Sequence, residues 1–155
     1  GRRRWPDVVV LRGEPDRSDG PIVIGLDGSE GATRALDWAI DLAEATGAHI
    51  VAVHAPILGA NNAMMDAARQ ALEQWCAPIG ARAVPHEMRI EPGDARTALE
   101  HVADETGASL LVVGTRGLGA VRGLLLGSVA GYVARYTERP IAIVPPPTGR
   151  PKDCR

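Results

Sequence analysis

Apolar residues recur along the chain at two spacings, one typical of helices and one of strands. Four stretches repeat them at the 3.6-residue period of an amphipathic helix. The predicted apolar faces are, in chain order, Ala32, Ala35, Leu36, Ala39, Ile40 and Ala43; Met64, Ala67, Ala68, Ala71, Leu72 and Trp75; Ala95, Ala98, Leu99, Val102 and Ala103; and Val129, Tyr132, Val133 and Tyr136. Ser29 and Asp94 are candidate N-caps of the first and third helices, and Ser128 opens the fourth. We interpret Met64, Met65 and Trp75 as core residues and not as part of a cofactor site.

Strands are predicted between these helices. Three nearly continuous apolar runs are typical of parallel strands with helices on both faces. They are residues 22–26, 49–55 and 109–114. Residues 84–90 alternate instead and include Pro85, which has no N–H to donate to a neighbour, so we expect an edge strand. Residues 140–147 supply a last short strand that ends in prolines.

The order of these elements predicts an α/β fold. Gly47 and Gly107 stand where two of the helices need a left-handed residue after the last turn. With right-handed crossovers, the five strands form a doubly wound, open, Rossmann-like parallel sheet of order 3-2-1-4-5, with helices on both faces. Strands one and four are then neighbours, and we expect a ligand crevice at their carboxyl ends.

A glycine-rich loop follows the fourth strand and carries the spacing G-x2-G-x9-G-S. Gly114 lets the chain turn, and Gly117 lets a ligand approach the backbone. Gly127 and Ser128 begin the last helix, whose free N–H groups and dipole favour an anion, and Arg116 and Arg122 add positive charge. A phosphate group suits this arrangement. A plain flexible connection, with the serine as a simple helix cap, is the alternative. Neither a P-loop nor the dinucleotide fingerprint is present.

Composition narrows the class of protein. The chain has 155 residues, 45% of them hydrophobic and 23% charged, which is the balance of one globular domain. A net charge of -2 argues against a nucleic-acid partner. Two cysteines, Cys76 and Cys154, are too few for a disulfide framework, and the histidines lack metal-ligand spacing. Without a secretory leader or a run of roughly 18 apolar residues, no membrane association is expected, and we predict a cytoplasmic protein.

Three segments together resemble the universal stress protein family. They are "IGLDGSEGATRALDWAIDLA", "HIVAVHA" and "LLVVGTRGLGAVRGLLLGSVAGYVARYTERPIAIVP". The resemblance spans roughly residues 21–146, and the glycine spacing is similar to that of the family's ATP-binding branch. Adenylating relatives of the wider superfamily would show S-G-G-x-D-S after the first strand, where this chain has "DGSEGA".

The resemblance implies that the crevice binds ATP or another adenine nucleotide. The implied contacts are Ala55 and Val113 at the base, Leu26 and Asp27 at the end of the first strand, Gly114, Arg116 and Gly117 at the ribose and first phosphates, and Gly127, Ser128 and Val129 at the terminal phosphates. Asp27 either forms a helix cap or faces the nucleotide and a Mg²⁺ ion that arrives with it; no dedicated metal site is expected. His54 is interpreted as structural, so no catalytic residue is predicted. Ala130 replaces a polar residue common in relatives, which leaves the choice among ATP, ADP, AMP and a cyclic nucleotide open.

The resemblance also bears on organisation and role. Residues 21–147 are expected to form the family domain, and residues 148–155 a flexible tail. Residues 1–20 form an extension in which "RWPDVVVLRGEP" resembles the end of a family domain, as "ERPIAIVPPPTG" does at the other terminus, as if a preceding copy ended there. The run Val8–Leu11 could then add a strand to a sheet edge or to a partner. A homodimer through residues 141–144 and a regulatory role in stress response with an unknown protein partner are implied. A slow ATPase, another ATP-dependent enzyme, or a nucleotide-free interaction module are the alternatives.

Overall fold

The computed structural model describes residues 8–12, 19–115 and 126–146. Six strands and four helices lie within these described ranges. In chain order they are β1 (Val9–Leu11), β2 (Ile22–Gly25), α1 (Glu30–Thr46), β3 (Ile50–His54), α2 (Asn62–Ala81), β4 (His86–Ile90), α3 (Ala95–Thr106), β5 (Leu110–Gly114), α4 (Ser128–Tyr136) and β6 (Ile141–Val144).

One sheet contains all of these strands in the order β1-β6-β5-β2-β3-β4. Strands β2 to β6 are parallel, with Ile22 opposite Ile50 on one side and opposite Leu110 on the other. The predicted fold class and the order 3-2-1-4-5 are therefore confirmed for the parallel strands, and β4 is an edge strand as expected. The strand count was wrong: the sheet has six strands rather than five, because β1 adds to it.

Strand β1 lies antiparallel to β6 at the other edge of the sheet. Val9 is opposite Ile143, and Val10 is opposite Ala142. The guanidinium of Arg12, just after the strand, donates a hydrogen bond of 2.6 Å to the carbonyl oxygen of Ala134. The outer edge of β6 is thus paired within the same chain.

Helices cover both faces of the sheet, because successive strand residues point in opposite directions. Ile22 and Ile24 pack with α1 and α2 in one buried cluster. Val23 packs with α3 and α4 in the other. Burying side chains of this size stabilises the fold by roughly 1.5–3 kcal/mol each. Two apolar layers therefore hold the carboxyl ends of the central strands in place.

The helix ends agree with the sequence signals. The Ser29 hydroxyl accepts a hydrogen bond of 3.1 Å from the N–H of Ala32, and Asp94 accepts one of 2.8 Å from the N–H of Arg96. Gly47 and Gly107 adopt φ values of 80° and 64°, the left-handed conformation that was predicted.

Three predicted core positions were wrong. Met64 is 47% exposed, Tyr136 is 59% exposed, and Ala67 is exposed as well. Met64 and Tyr136 lie at a helix end, where the apolar stripe continues for one turn beyond the part that packs on the sheet. The buried stripe of α2 consists of Ala68, Leu72, Cys76 and Ile79. Trp75 is half-buried against the same core.

Candidate functional site

A cleft opens at the carboxyl ends of β2 and β5, where the predicted crevice was expected. It encloses about 800 Å³ of space, part of it open to solvent. Eight predicted contact residues line it: Leu26, Asp27, Ala55, Val113, Gly114, Gly127, Ser128 and Val129. The other two, Arg116 and Gly117, lie outside the described residues.

The N-terminus of α4 forms one wall of the cleft. Gly127 is its N-cap and makes no side-chain capping bond, whereas a side chain caps each of the other three helices. Ser128 is therefore the first helical residue and not the cap, which argues against the simple-cap alternative. The first turn of α4 presents N–H groups and the positive end of the helix dipole to the cleft. An anion would satisfy both.

Gly114 was predicted to be glycine because the chain turns there, but the structure shows a different, steric requirement for glycine at this position. A β-carbon at this position would lie 2.7 Å from the backbone oxygen of Gly31, in the first turn of α1. The end of β5 and the start of α1 therefore approach each other closely, and this approach sets one wall of the cleft. The backbone of β5 continues to Thr115, whose oxygen accepts a hydrogen bond from the N–H of Gly127.

Asp27 lines the cleft, and its carboxylate has a local role. Its Oδ1 accepts a hydrogen bond of 2.9 Å from the N–H of Ser29, which fastens the turn between β2 and α1. Within residues 8–12, 19–115 and 126–146, no group of three or more His, Cys, Asp and Glu side chains is placed to hold a metal ion. A cation here would need most of its ligands from a bound molecule or from water.

The opposite end of the cleft is formed by the last residues of β2 and β3. The Leu26 N–H donates a hydrogen bond of 2.8 Å to the Val53 oxygen. The Leu26 carbonyl lies 3.0 Å from Nδ1 of the His54 imidazole. The Trp75 ring meets that imidazole edge-on, with 5.0 Å between centroids. Ala55 follows directly and lines the cleft.

Helix α3 also contributes to the cleft, which sequence reasoning missed. Ala95 and Leu99 line it, although both were assigned to the predicted core face. An apolar helix face gives no signal that distinguishes a core position from a cleft position. Arg96, between them, places its guanidinium 5.4 Å from the centroid of the Tyr132 ring and so connects α3 with α4. The same guanidinium pairs with Asp94 at 2.6 Å.

Comparisons with known proteins agree with this architecture. The family model described as "Universal stress protein family" matches residues 20–145. The chain belongs to this family. The family membership predicted from the sequence segments is thereby confirmed.

Curated members of the universal stress protein family include similar mycobacterial proteins. One from Mycobacterium tuberculosis is 32% identical over 156 residues, which covers 92% of this chain and 52% of the relative. One from Mycolicibacterium smegmatis is 29% identical over 150 residues, covering 90% of this chain and 51% of the relative. This chain spans about half the length of these relatives. A shorter universal stress protein of Mycobacterium tuberculosis is 33% identical over 139 residues, covering 79% of this chain and 94% of the relative.

Solved structures of universal stress proteins are similar in fold, and two contain adenine nucleotides. One was solved in complex with cAMP; it is 37% identical, has a TM-score of 0.65, and covers 82% of this chain and 98% of its own. The other, from Archaeoglobus fulgidus, was solved with dAMP; it is 24% identical, has a TM-score of 0.67, and covers 81% of this chain and 97% of its own. Among the helices that the structure describes here, none is long and apolar enough to cross a membrane.

Proposed function

We propose that this chain binds ATP or a closely related adenine nucleotide in the cleft and acts as a regulatory protein in stress response. The observation that carries the proposal is the uncapped N-terminus of α4, which faces the same cleft as the end of β3. One end of the cleft suits phosphate and the other suits a base. The 37% identical structure in complex with cAMP supports an adenine nucleotide as the ligand class.

The phosphate end rests on the first turn of α4. Gly127, Ser128 and Val129 line the cleft there, and Gly127 has φ -76° and ψ -179°, an extended conformation that any residue can adopt. A side-chain cap was therefore sterically available to this helix. Its absence leaves the first N–H groups open to the oxygens of a phosphate. The exposed Ser128 hydroxyl is a further donor.

The base end rests on the backbone of Ala55. Neither its N–H nor its carbonyl has a hydrogen-bond partner among the described residues, and the residue lines the cleft. An adenine ring presents an acceptor, N1, beside a donor, the N6 amino group. A backbone donor and acceptor on one residue complement that pair. Val113, which is buried, also lines the cleft, where it offers an apolar surface to the ring.

Selectivity among adenine nucleotides depends on the residue after Val129. Ala130 is 2% exposed and lines the cleft with a methyl group, which cannot hydrogen-bond a terminal phosphate oxygen. Asp27 is the carboxylate in the described lining that we propose to hold a Mg²⁺ ion arriving with the phosphates. The first-turn amides of α4 that have no partner among the described residues supply most of the phosphate binding in this proposal.

We propose binding without rapid turnover. A fast hydrolase needs a positioned base or nucleophile. The Asp27 carboxylate and the His54 imidazole, the two titratable side chains in the described lining, each make a bond to the backbone nearby. A turnover assay measures this directly: release of many ADP molecules per minute would favour the ATP-dependent enzyme instead.

The extension and the implied homodimer are proposed to share one sheet edge. Val9 and Ile143 each lie three residues after a proline in the two similar segments, and they face each other across β1 and β6. Such a pairing is what two copies of one strand make about a two-fold axis. We propose that β1 corresponds to the last strand of a preceding copy, and that a homodimer through β6 requires β1 to leave. Residues 21–147 remain the proposed family domain, with residues 148–155 as the tail.

A cytoplasmic location is proposed from the use of cysteine. Cys76 is buried as a free thiol, and burial raises its pKa to about 11, so that it stays protonated and unreactive. Fractionation of cells followed by immunodetection tests the location; recovery of the protein outside the cytoplasmic fraction would overturn it.

Replacing Gly127 with Asp tests the nucleotide site. The new carboxylate would cap α4 and add roughly 0.5–1 kcal/mol of stability, mostly through its charge at the positive end of the helix dipole, while it repels phosphate from the same N–H groups. We expect the Gly127→Asp protein to unfold at higher urea concentration and to lose ATP binding at least tenfold, measured by equilibrium dialysis with labelled ATP.

The matched control is Gly127→Asn, which supplies a similar cap without charge. It should weaken ATP binding less than Gly127→Asp. ADP, AMP and cAMP, titrated in parallel, identify the preferred nucleotide. Wild-type protein that binds none of them, or a Gly127→Asp protein that binds ATP normally, would reject the proposed site.

A further inference from the structure

The hydrogen-bond ladder between β2 and β3 stops one rung early at the cleft. Backbone N–H groups of β2 donate in sequence across this parallel pair, from Ile22 to the His49 oxygen and from Leu26 to the Val53 oxygen. In a regular parallel ladder the next bond would run from the N–H of Ala55 back to the Leu26 carbonyl. That bond is not made, and the Ala55 N–H has no partner among the described residues.

The Leu26 carbonyl is satisfied by a side chain instead. His54 Nδ1 lies 3.0 Å from it. A carbonyl oxygen can only accept, so Nδ1 carries the proton and donates. Leu26 is 5% exposed, and its carbonyl would be costly to leave unpaired. The oxygen has two lone pairs, yet among the described residues it accepts from the imidazole and not from the Ala55 amide.

We propose that His54 is a positioning residue that keeps the Ala55 N–H free and thereby makes the cleft select adenine over guanine. This proposal rests on the proposed function, because it assigns the recognition of the base within the same site. His54 does not touch the base in this arrangement. It acts through the Leu26 carbonyl, and the freed amide acts on the ligand.

The chemistry of the two purines explains the selectivity. N1 of adenine is an acceptor and can receive a hydrogen bond from a free backbone N–H. N1 of guanine carries a proton and would face that N–H donor to donor. A buried site that is built to donate rejects a ligand with no acceptor there, because one polar group is then left unpaired.

The orientation of the imidazole is set by its neighbours. The Trp75 ring meets it edge-on at an interplanar angle of 89°. Gly28 leaves room for Trp75, since a β-carbon at Gly28 would lie 2.8 Å from Cζ2 of the tryptophan. The same packing explains why a histidine at the end of a strand can hold one fixed bond while it is half-buried.

Two substitutions of His54, to Asn and to Leu, test the proposal, because the two new side chains are similar in shape to each other and differ in hydrogen-bonding capacity. The Asn side-chain amide can place its nitrogen where Nδ1 of the histidine lies, whereas Leu has the same branching and no donor. We expect His54→Asn to bind ATP within about threefold of wild type. His54→Leu should lose about tenfold in ATP affinity, the value of one hydrogen bond, with little change in the weak affinity for GTP.

Hydrogen exchange of the Ala55 amide, followed by NMR in the ligand-free protein, supplies a readout that needs no nucleotide. We expect fast exchange in the wild type and in His54→Asn, and at least tenfold slower exchange in His54→Leu, where the amide closes the last rung. Thermal unfolding of all three proteins confirms that each is folded.

The outcomes separate this inference from the proposed function. Equal loss of ATP and GTP affinity in His54→Leu, or failure of His54→Asn to restore discrimination, would overturn the positioning role. An Ala55 amide that is already protected in the wild type would overturn it as well. If the wild type binds no ATP while the exchange pattern is as expected, the proposed nucleotide function fails and the coupling of His54 to the Ala55 amide stands.

Discussion

Gly114 and Gly31 bring two backbone segments into contact at one wall of the cleft. A β-carbon on Gly114 would lie 2.7 Å from the oxygen and 2.9 Å from the carbonyl carbon of Gly31. Both contacts are with backbone atoms, which cannot rotate away as a side chain can. The end of β5 and the first turn of α1 can therefore approach each other this closely only because no side-chain atoms lie between them.

Replacing Gly114 with Ala should force these segments apart and destabilise the fold by about 1–3 kcal/mol. Urea unfolding followed by circular dichroism measures the loss. Gly131→Ala is the control, because a β-carbon there meets nothing within 4 Å and the residue lies inside α4. Alanine should stabilise that helix by about 0.5–1 kcal/mol. Equal changes in unfolding free energy for the two substitutions would mean that the close approach to Gly31 does not require a glycine at position 114.

The second prediction concerns Gly28, which has φ 84° and lies against Trp75. Alanine at Gly28 combines backbone strain with a clash at 2.8 Å, whereas alanine at Gly59, φ 87°, meets strain alone because nothing lies within 4 Å. We expect Gly59→Ala to cost about 1 kcal/mol of unfolding free energy and Gly28→Ala about 1–3 kcal/mol more.

The same pair bears on binding. Displacement of Trp75 would tilt the His54 ring away from the Leu26 carbonyl, so Gly28→Ala should weaken ATP binding while Gly59→Ala leaves it unchanged. Equilibrium dialysis with labelled ATP, in buffer at pH 7 without urea, measures the ATP affinity of both proteins. Normal ATP affinity in a folded Gly28→Ala protein would show that Trp75 does not support the base end.

Most of the fold follows from local sequence signals, and the exceptions share a cause. The parallel strands and their order were predicted correctly. The signals were the helix period, the glycines Gly47 and Gly107, and Pro85 in the run of residues 84–90. Strand β1 is three residues long, too short for a period, and only its pairing with β6 makes it a strand. The position of β1 in the sheet depends on its pairing with β6, which lies at the other end of the chain.

The candidate site divides in the same way. The resemblance to the family implied Leu26, Asp27, Ala55 and the residues around Gly127 as contacts, and each of them lies at the end of a strand or the start of a helix and lines the cleft. The approach of Gly114 to Gly31 could not be predicted, nor could the bond from His54 to Leu26. Both depend on distances between segments far apart in sequence, which a pattern along the chain does not contain.

The third prediction concerns the pH dependence of stability at Asp94. The Arg96 guanidinium and backbone N–H donate to this carboxylate and lower its pKa to about 2. A carboxyl group whose pKa is lower in the folded state contributes stability above its unfolded value of about 3.9, and that contribution is lost as the pH falls toward 2.

Asp94→Asn keeps an oxygen that can cap α3 and removes the charge. It should lower the free energy of unfolding at pH 7 by less than about 1 kcal/mol, since the side chain is exposed and screened by solvent. The difference from wild type should shrink between pH 4 and pH 2, measured by urea unfolding across that range. A difference that grows as the pH falls would contradict the sign. Asp66→Asn, at an exposed position of α2, controls for the general change in charge.

The last prediction concerns the edge of the sheet that β1 covers. Removing residues 1–18 leaves the N–H and carbonyl groups along the outer edge of β6 without their partner, and an open, apolar edge pairs readily with another strand. We expect the shortened protein to form dimers at micromolar concentration while the intact chain stays monomeric, as measured by analytical ultracentrifugation. A synthetic peptide of residues 6–13, added in excess, should compete for the same edge and return the shortened protein to monomer. Val9, which is 49% exposed, limits how tightly the peptide binds. Dimers of the intact chain at the same concentration would show that β1 does not block this edge, and a shortened protein that stays monomeric would show that β6 is not the surface through which two copies pair.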